Sequence, residues 1–407
     1  MATAAPSTAP APTTPFAVGA WRLGVCARVI DSLAVWALLV ALGYVVYDQT
    51  GSATAVAVLT VAARIPGVVL AAHSGALADA LDVRLITRRL ALVQALPAAA
   101  LAVIAWDGDL RPGVAYAGVF CISLVAAVMG PGMQIEIGST LPQELRRRGR
   151  ALSNAFGYAA GVVGAAGGGA LVAADGPRLV LVLTALCAIA VAVVFARFPA
   201  PDRPLLPHRP VRSTLQRVPS PAWLLVAITL VIAFVLEPLT HLAPVIARRH
   251  GDSASLLGFY VGAIALGAMI GGLTMRACEE RALPVRWALP PAMAVAGLAL
   301  VGLAAWPSFA LALATMVLAG ACWEICALET LFGVLPHAPE RRVGLQIGIW
   351  SAATSAGAVL GTLVLGWTMD HVGVDTSLLV CAGLLLALAL TALLQGWLAR
   401  AEVSPSA

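Results

Sequence analysis

The sequence predicts an all-α membrane protein in which twelve transmembrane helices form two six-helix bundles. Three observations predict this fold: the composition, the placement of arginine, and a repeat that relates the two halves. Of the 407 residues, 60% are apolar and only 11% are charged, whereas about 25% are charged in an average soluble domain. Because a spanning helix needs about 20 mainly apolar residues, twelve spans leave room only for short loops. The composition therefore excludes a large catalytic or nucleotide-binding domain outside the membrane.

Twelve apolar stretches are long enough to span a bilayer, and they divide into two groups of six. The N-terminal bundle, 22–196, has spans at roughly 22–47, 52–74, 85–106, 112–138, 150–174 and 177–196. The C-terminal bundle, 221–399, has spans at roughly 221–248, 254–275, 283–305, 308–335, 342–369 and 374–399. Residues 1–21 read as a disordered Ala/Pro/Thr tail, 197–220 as a polar central loop and 400–407 as a second tail.

Arginine placement tests this count of spans, because cytoplasmic loops are enriched in basic residues. All 25 basic residues are arginine, and 19 of them lie at the termini, in the central loop or in the other even-numbered loops. The odd-numbered loops hold only four arginines and are rich in aspartate. We therefore expect a multi-pass protein of the plasma (inner) membrane, with both termini and the central loop in the cytoplasm. The net charge of +5 then reflects topology and does not indicate nucleic-acid binding.

Glycine pairs recur at matching positions in the two halves. Gly164 and Gly168 lie four residues apart in span 5, and Gly357 and Gly361 repeat this spacing in span 11, 193 residues later. Glycines at this spacing let two helix backbones approach closely. We expect them to pack spans 5 and 11 against helices of the opposite bundle. Parallel six-helix repeats with a substrate site between them are typical of transporters whose halves rock against each other.

A polar motif, SGALADALDVR at 74–84, lies between spans 2 and 3. It resembles the signature loop of the major facilitator superfamily, Gly-x-Leu-Ala-Asp-Arg followed by basic residues. YDQTGSA at 47–53, LSNA at 152–155 and the glycine run at 164–169 are similar to one branch of that superfamily. This branch contains macrolide-efflux-like and enterobactin-exporter-like proton antiporters. The resemblance implies transport by alternating access.

The resemblance also implies a cytoplasmic latch formed by Gly75, Asp79, Arg84 and Arg88. The glycine would allow close helix contact, and Asp79 would meet the positive end of a neighbouring helix or one of the arginines. Such contacts would break as the two bundles rock. The alternative is that the arginines only hold this loop on the cytoplasmic side.

Seven ionisable side chains other than histidine fall inside the predicted spans. They are Arg28 and Asp31 in span 1, Arg64 in span 2, Glu136 in span 4, Glu237 in span 7, and Glu324 and Glu329 in span 10. A charge at the bilayer centre costs about 2.5–3.5 kcal/mol on insertion scales, so such residues usually face the bundle interior or a wet cavity. We expect them to line a transport pathway, with Glu136 and Glu329 acting as gate or loop partners nearer the cytoplasm.

In the N-terminal bundle, Arg28 and Asp31 are three residues apart and can share one helix face. Spans 1 and 2 are neighbours, so we also expect a bridge from Asp31 to Arg64. Asp31 is then a candidate for contact with a cationic substrate group. The alternative is a purely structural ion pair.

In the C-terminal bundle, Glu237 and His241 share a face of span 7 beside Pro238. An acid and a titratable imidazole next to a helix break suit proton handling, so Glu237 is the predicted proton carrier. The alternative is that His241 only forms a hydrogen bond at the membrane interface. Glu324, beside Trp323, can bind a cationic or aromatic substrate through charge and ring face together.

These residues predict a secondary active transporter that exports a small amphiphilic compound, such as a drug or a secondary metabolite, in exchange for protons. Five acids and two arginines inside the spans give a negative pathway, which suits a cation or a proton. The sequence has no Walker-type loop, metal-spaced His/Cys cluster or nucleophile elbow, so we expect no enzyme activity, cofactor or metal. The expected partners are a small-molecule substrate, protons and the lipid bilayer, with no nucleic acid, and the protein is expected to be a monomer.

Two alternatives stay open at the level of sequence. One is a proton symporter or facilitator that imports a metabolite. The other is a membrane scaffold or sensor that keeps the fold without transporting. Five acids inside the spans argue against the second, because a protein without a conduction pathway has little use for such costly residues.

Overall fold

The computed structural model describes residues 13–199, 220–251, 253–280, 289–305, 308–337 and 343–403. These residues form twelve long helices. In chain order they are α1 Gly19–Thr50, α2 Ala53–Ala80, α3 Val83–Trp106, α4 Pro112–Ser139, α5 Gln143–Asp175, α6 Arg178–Ala196, α7 Ser220–His241, α8 Ala254–Glu280, α9 Leu289–Ala305, α10 Phe309–Val334, α11 Val343–His371 and α12 Val374–Val403. Eleven contain a stretch long and apolar enough to cross a membrane, and α9 is a shorter apolar helix. The predicted all-α, twelve-helix fold is confirmed.

The helices run alternately up and down, so their ends form two faces of the protein. We call the face that holds the start of α1 and the α2–α3 turn the arginine-rich end. The face that holds the α1–α2 turn and the end of α11 is the opposite end. Most of the predicted central loop, 200–219, lies outside the described residues.

Two predicted features are wrong: the loop at 74–84 and the continuous span at 221–248. The motif at 74–84 is not a loop, because α2 continues to Ala80 and places Gly75 and Asp79 inside the helix. The turn is only two residues long, and Asp82 ends it by accepting a hydrogen bond from the Arg84 amide at 3.0 Å, which caps α3. The second error is the continuous span at 221–248.

That span is broken at Leu242. Helix α7 ends at His241, and a separate short helix, Ala243–Arg248, follows. The physical reason is Pro244, which lies in the first turn of the short helix. Proline has no amide hydrogen to donate to the preceding turn, and its ring would clash with a carbonyl of a continuous helix. The break therefore lies within two turns of Glu237.

The predicted glycine pairs do mark close helix contacts, but with different partners from those expected. A Cβ atom at Gly164 would overlap the Leu33 carbonyl of α1, and one at Gly361 would overlap the Phe234 carbonyl of α7. Gly168 and Gly357 also lie against the backbones of α1 and α7 respectively. Each partner helix belongs to the same bundle, so the expected contact with the opposite bundle is wrong. Packing of α5 on α1 and of α11 on α7 is nevertheless the same interaction in each half, as a six-helix repeat requires.

Other small residues join the two bundles, along α2–α11 and α5–α8. A Cβ atom at Gly75 would overlap the Gly344 carbonyl of α11 at the arginine-rich end. On the second seam, a Cβ atom at Gly169 would lie 2.5 Å from the Ala254 carbonyl oxygen and 3.0 Å from Gly258 Cα. Backbones in direct contact can slide or separate without large side chains interlocking, which suits bundles that move as bodies.

Gly361→Ala should destabilise the protein, because the added methyl group would meet the backbone of α7. Overpacking of a core typically costs about 1–3 kcal/mol. Gly383→Ala is the matched control, since a Cβ atom there would meet nothing within 4 Å. Thermal unfolding of the purified variants in detergent measures the difference. Equal melting temperatures for the two variants would contradict the packing described here.

Candidate substrate and proton site

Polar side chains from both bundles meet near the middle of the helices. We call this set the central polar layer; its members are Arg28, Asp31, Arg64, Asn154, Tyr158, Glu237, His241 and Glu324. Helices α1, α2 and α5 supply the first five, and α7 and α10 supply the last three. The layer contains all six residues predicted for proton coupling or substrate binding, together with two that were not predicted.

The first cluster in this layer is an ion pair between the bundles. Arg64 Nη2 lies 2.9 Å from Glu237 Oε2, and His241 Nε2 lies 3.3 Å from each of these two atoms. Glu237 and His241 are both buried. The imidazole therefore completes a three-residue contact in which the acid and the histidine come from α7 and the arginine from α2.

This cluster differs from the sequence prediction in one respect. Arg64 lies against Glu237 of the opposite bundle, instead of Asp31 of its own. Glu237 consequently has a cation in direct contact, in addition to the predicted neighbour His241. The rotation of α2, which points Arg64 towards the C-terminal bundle, depends on packing against α11 and is not visible in the hydropathy pattern.

The second cluster holds Glu324, whose side chain is almost completely buried. Asn154 donates a hydrogen bond from Nδ2 to Glu324 Oε1 at 3.2 Å, and the Tyr158 hydroxyl donates to Oε2 at 2.8 Å. Both donors belong to α5, so this contact also joins the two bundles. Sequence reasoning missed both residues. The available signal was their spacing, since polar residues four apart share one face of an otherwise apolar, glycine-rich helix.

Aromatic and cationic groups surround this second carboxylate. Trp36 packs edge-on against Tyr158, with ring centroids 6.1 Å apart. Arg28 is close enough to act electrostatically on Glu324, Tyr158 and Asp31. Gly157 leaves space for the Arg28 side chain, because a Cβ atom at this position would lie 3.2 Å from Arg28 Nε. The layer therefore combines a carboxylate, aromatic rings and a nearby arginine.

The charges of the layer do not balance when all its acids are ionised. Two arginines face three carboxylates, which leaves one negative charge. Arg64 forms an ion pair with Glu237, whereas the side chains that donate hydrogen bonds to Glu324 are neutral. Within the described part of the chain, no group of three or more His, Cys, Asp or Glu side chains is arranged to hold a metal ion. The layer is thus suited to binding a proton or an organic cation.

The predicted latch residues lie together at the arginine-rich end. Gly75 is packed under the backbone of α11, as described above, and Arg84 lies 3.3 Å from Asp82. Arg88 is exposed on α3, and Asp79 lies in the last turn of α2 with its side chain outside the described structure. The close contact at Gly75 fits a point where two bundles meet, and the role of Asp79 stays a prediction.

The sequence matches the transmembrane secretion effector family, part of the major facilitator superfamily, over residues 10–405. The chain is a member of this family. It is therefore a multi-pass membrane transporter and not an enzyme. A comparison with curated protein sequences finds no match.

Solved transporter structures share the fold at low sequence identity. The human organic anion transporter MFSD10 is 16% identical, with a TM-score of 0.71 over 94% of this chain and 100% of that one. A bacterial homologue of the human lysosomal transporter Spinster is 14% identical, with a TM-score of 0.68 over 92% and 96%. The E. coli fucose:proton symporter is 14% identical, with a TM-score of 0.66 over 91% and 98%. At these identities the likeness concerns the fold alone.

Arg64→Gln should destabilise the protein by leaving Glu237 buried without its cation. Breaking a buried pair costs about 3–5 kcal/mol, and we expect the lower end of this range, because the Arg64 side chain is 33% exposed. The double variant Arg64→Gln with Glu237→Gln should recover most of the loss, since no charge is then left unpaired. Asp175→Asn is the control, because it breaks only a partly exposed pair with Arg178. Thermal unfolding in detergent measures all three, and a double variant no more stable than Arg64→Gln would contradict the pairing.

Proposed function

We propose that this transporter exports a small, partly apolar cation in exchange for protons, and that substrate and proton compete for Glu324. The supporting observation is the environment of this carboxylate. It is buried at mid-depth, and its hydrogen bonds come from neutral side chains of the opposite bundle. A proton or an organic cation can therefore supply the positive charge that the protein itself does not place in contact with it.

Glu237 has a different role in this proposal from the one that the sequence indicated. Its ion pair with Arg64 already compensates its charge, so a proton would have to displace a guanidinium to bind there. We assign Glu237, Arg64 and His241 to a contact that holds the bundles together in the occluded state. Glu324 then carries the proton, and Asp31 and Arg28 set the local charge on the other side of the layer.

The proposed cycle follows from which bundle supplies each contact. Substrate entering from the cytoplasm places its cationic group on Glu324 and its apolar part against Trp36 and Tyr158. This replaces the bonds from Asn154 and Tyr158 and so removes one contact between the bundles, which favours rocking towards the opposite end. A proton from that side then neutralises Glu324 and releases the cation. The protonated carrier returns, loses its proton to the cytoplasm and accepts the next substrate.

Two observations support export of an amphiphile. The name of the family to which the chain belongs, transmembrane secretion effector, refers to secretion. The site also combines a carboxylate with aromatic rings inside an apolar bundle. Import with protons is the second candidate, because a fucose:proton symporter shares the fold. The direction of uphill transport in the experiment below distinguishes the two.

Glu324→Gln should abolish proton-driven accumulation and also weaken binding of the cation, because this carboxylate is proposed to hold the proton and the charged group of the substrate in turn. The amide keeps the size of the side chain and can still accept a hydrogen bond, but it cannot bind and release a proton. The measurement uses proteoliposomes with an imposed pH difference and a fluorescent lipophilic cation such as ethidium. The parent should move the dye towards the acidic compartment, and the variant should not.

Asp109→Asn is the matched control, because it removes an exposed carboxylate from the α3–α4 turn at the opposite end. This variant should transport like the parent. Uphill transport by Glu324→Gln at the parent rate would contradict the assignment of the proton. Accumulation of the dye in the alkaline compartment, which means movement in the same direction as the protons, would favour the symporter.

A further inference from the structure

The opposite end of the protein carries a contact between bundles that the transport cycle above does not use. Asp370, near the end of α11, accepts three hydrogen bonds from the start of α2. The Ser52 hydroxyl donates to Oδ2 at 2.7 Å, the Ala53 amide donates to Oδ1 at 2.8 Å, and the Thr54 amide donates to Oδ2 at 2.9 Å. One side chain of the C-terminal bundle thus caps a helix of the N-terminal bundle.

The contact replaces the capping that a helix normally obtains from its own chain. The first amides of any helix lack partners inside that helix and must find acceptors elsewhere. In α2 the Ser52 side chain satisfies only the amide of Ala55, at 3.2 Å. The amides of Ala53 and Thr54 depend on Asp370. An acidic side chain at this position also interacts favourably with the positive end of the helix dipole.

This arrangement is not a general consequence of the six-helix repeat. The corresponding seam lies between the end of α5 and the start of α8. There the acidic residue is Asp175, and it pairs with Arg178 of its own bundle. At the start of α8, the Ser253 hydroxyl oxygen accepts a hydrogen bond from the Ser255 amide at 3.2 Å. Capping by the opposite bundle therefore occurs at the α2–α11 seam.

The residues around Asp370 also hold the two helices together. Gly366, one turn earlier in α11, lies against α2, where a Cβ atom would be 2.9 Å from Ala57 Cβ and 3.0 Å from the Ala53 carbonyl oxygen. A second pair between bundles, Arg248 with Asp48, lies at the same end at 3.4 Å. That pair is well exposed on both sides, and exposed pairs contribute little. Among the described residues, Asp370 therefore makes a stronger polar contact between the bundles at this end than the exposed Arg248–Asp48 pair does.

We propose that Asp370 is a lock that keeps the opposite end of the transporter closed. Opening this end requires α2 and α11 to separate, which breaks all three hydrogen bonds at once and leaves two helix amides without their acceptor. Water can replace these bonds once the seam opens, so the lock sets the balance between closed and open states and does not forbid opening. The lock is independent of the proposed substrate and of Glu324.

Asp370→Asn tests the lock by keeping the shape of the side chain while removing its charge and one of its two acceptors. Spin labels on Asp107→Cys and Ala310→Cys, both exposed at the opposite end and in different bundles, report its opening. The labels are placed in a background without native cysteines, and pulsed EPR gives their distance distribution in lipid nanodiscs. The ratio of long to short separations should rise about tenfold, because hydrogen bonds to a charged acceptor are among the stronger ones.

Asp375→Asn is the matched control. Asp375 lies at the same end, and its partner at 2.7 Å is Arg249 of the same bundle, so its loss should leave the distances unchanged. Ser52→Ala removes one of the three bonds and should give a smaller shift in the same direction. An Asp370→Asn distribution identical to that of the parent, or an equal shift in Asp375→Asn, would overturn the lock. Melting temperatures identify a variant that fails to fold, and Ser52→Ala then carries the test.

Discussion

The structure depends on one constraint: charges buried within a bilayer must have partners, and for Glu237 and Glu324 those partners belong to the opposite bundle. Glu237 is compensated by Arg64 of α2, and Glu324 is held by Asn154 and Tyr158 of α5. Each bundle alone would bury uncompensated polar groups at mid-depth, at a considerable cost in free energy. The apolar surfaces can then face lipid, while the polar contacts decide how the two bundles meet.

This constraint connects the fold to transport. Contacts between bundles in a rocking transporter must be weak enough to break and specific enough to reform. The seams combine close backbone contacts, as at Gly75 and Gly169, with apolar side chains such as Leu345 and Ile349, and the polar bonds between the bundles add to this packing. A ligand that takes over one of those bonds changes the balance of states by its difference in affinity between them. Glu324 can exchange its neutral donors for a ligand more readily than Glu237 can exchange its arginine.

Hydropathy and arginine placement were sufficient to predict the twelve helices, because a bilayer imposes the same length and polarity on every span. The rotation of each helix about its axis was not predictable. Arg64 was assigned to the wrong acid, and the Gly164 and Gly361 pairs to the wrong neighbours, because those contacts depend on which face each helix presents. Intramembrane acids stood out because they are rare in spans. Asn154 did not stand out, since a neutral side chain costs less there.

The central claim is that the charge state of Glu324 controls how the two bundles meet. Spin labels on Arg89→Cys and Trp223→Cys, exposed at the arginine-rich end and in different bundles, measure this directly by pulsed EPR in nanodiscs without substrate. In the parent background, the distance distribution should change between alkaline and acidic pH, because a protonated carboxyl accepts weaker hydrogen bonds from α5. With Glu324→Gln the distribution should be the same at both pH values. A Glu324→Gln variant that keeps the pH response of the parent would contradict the account.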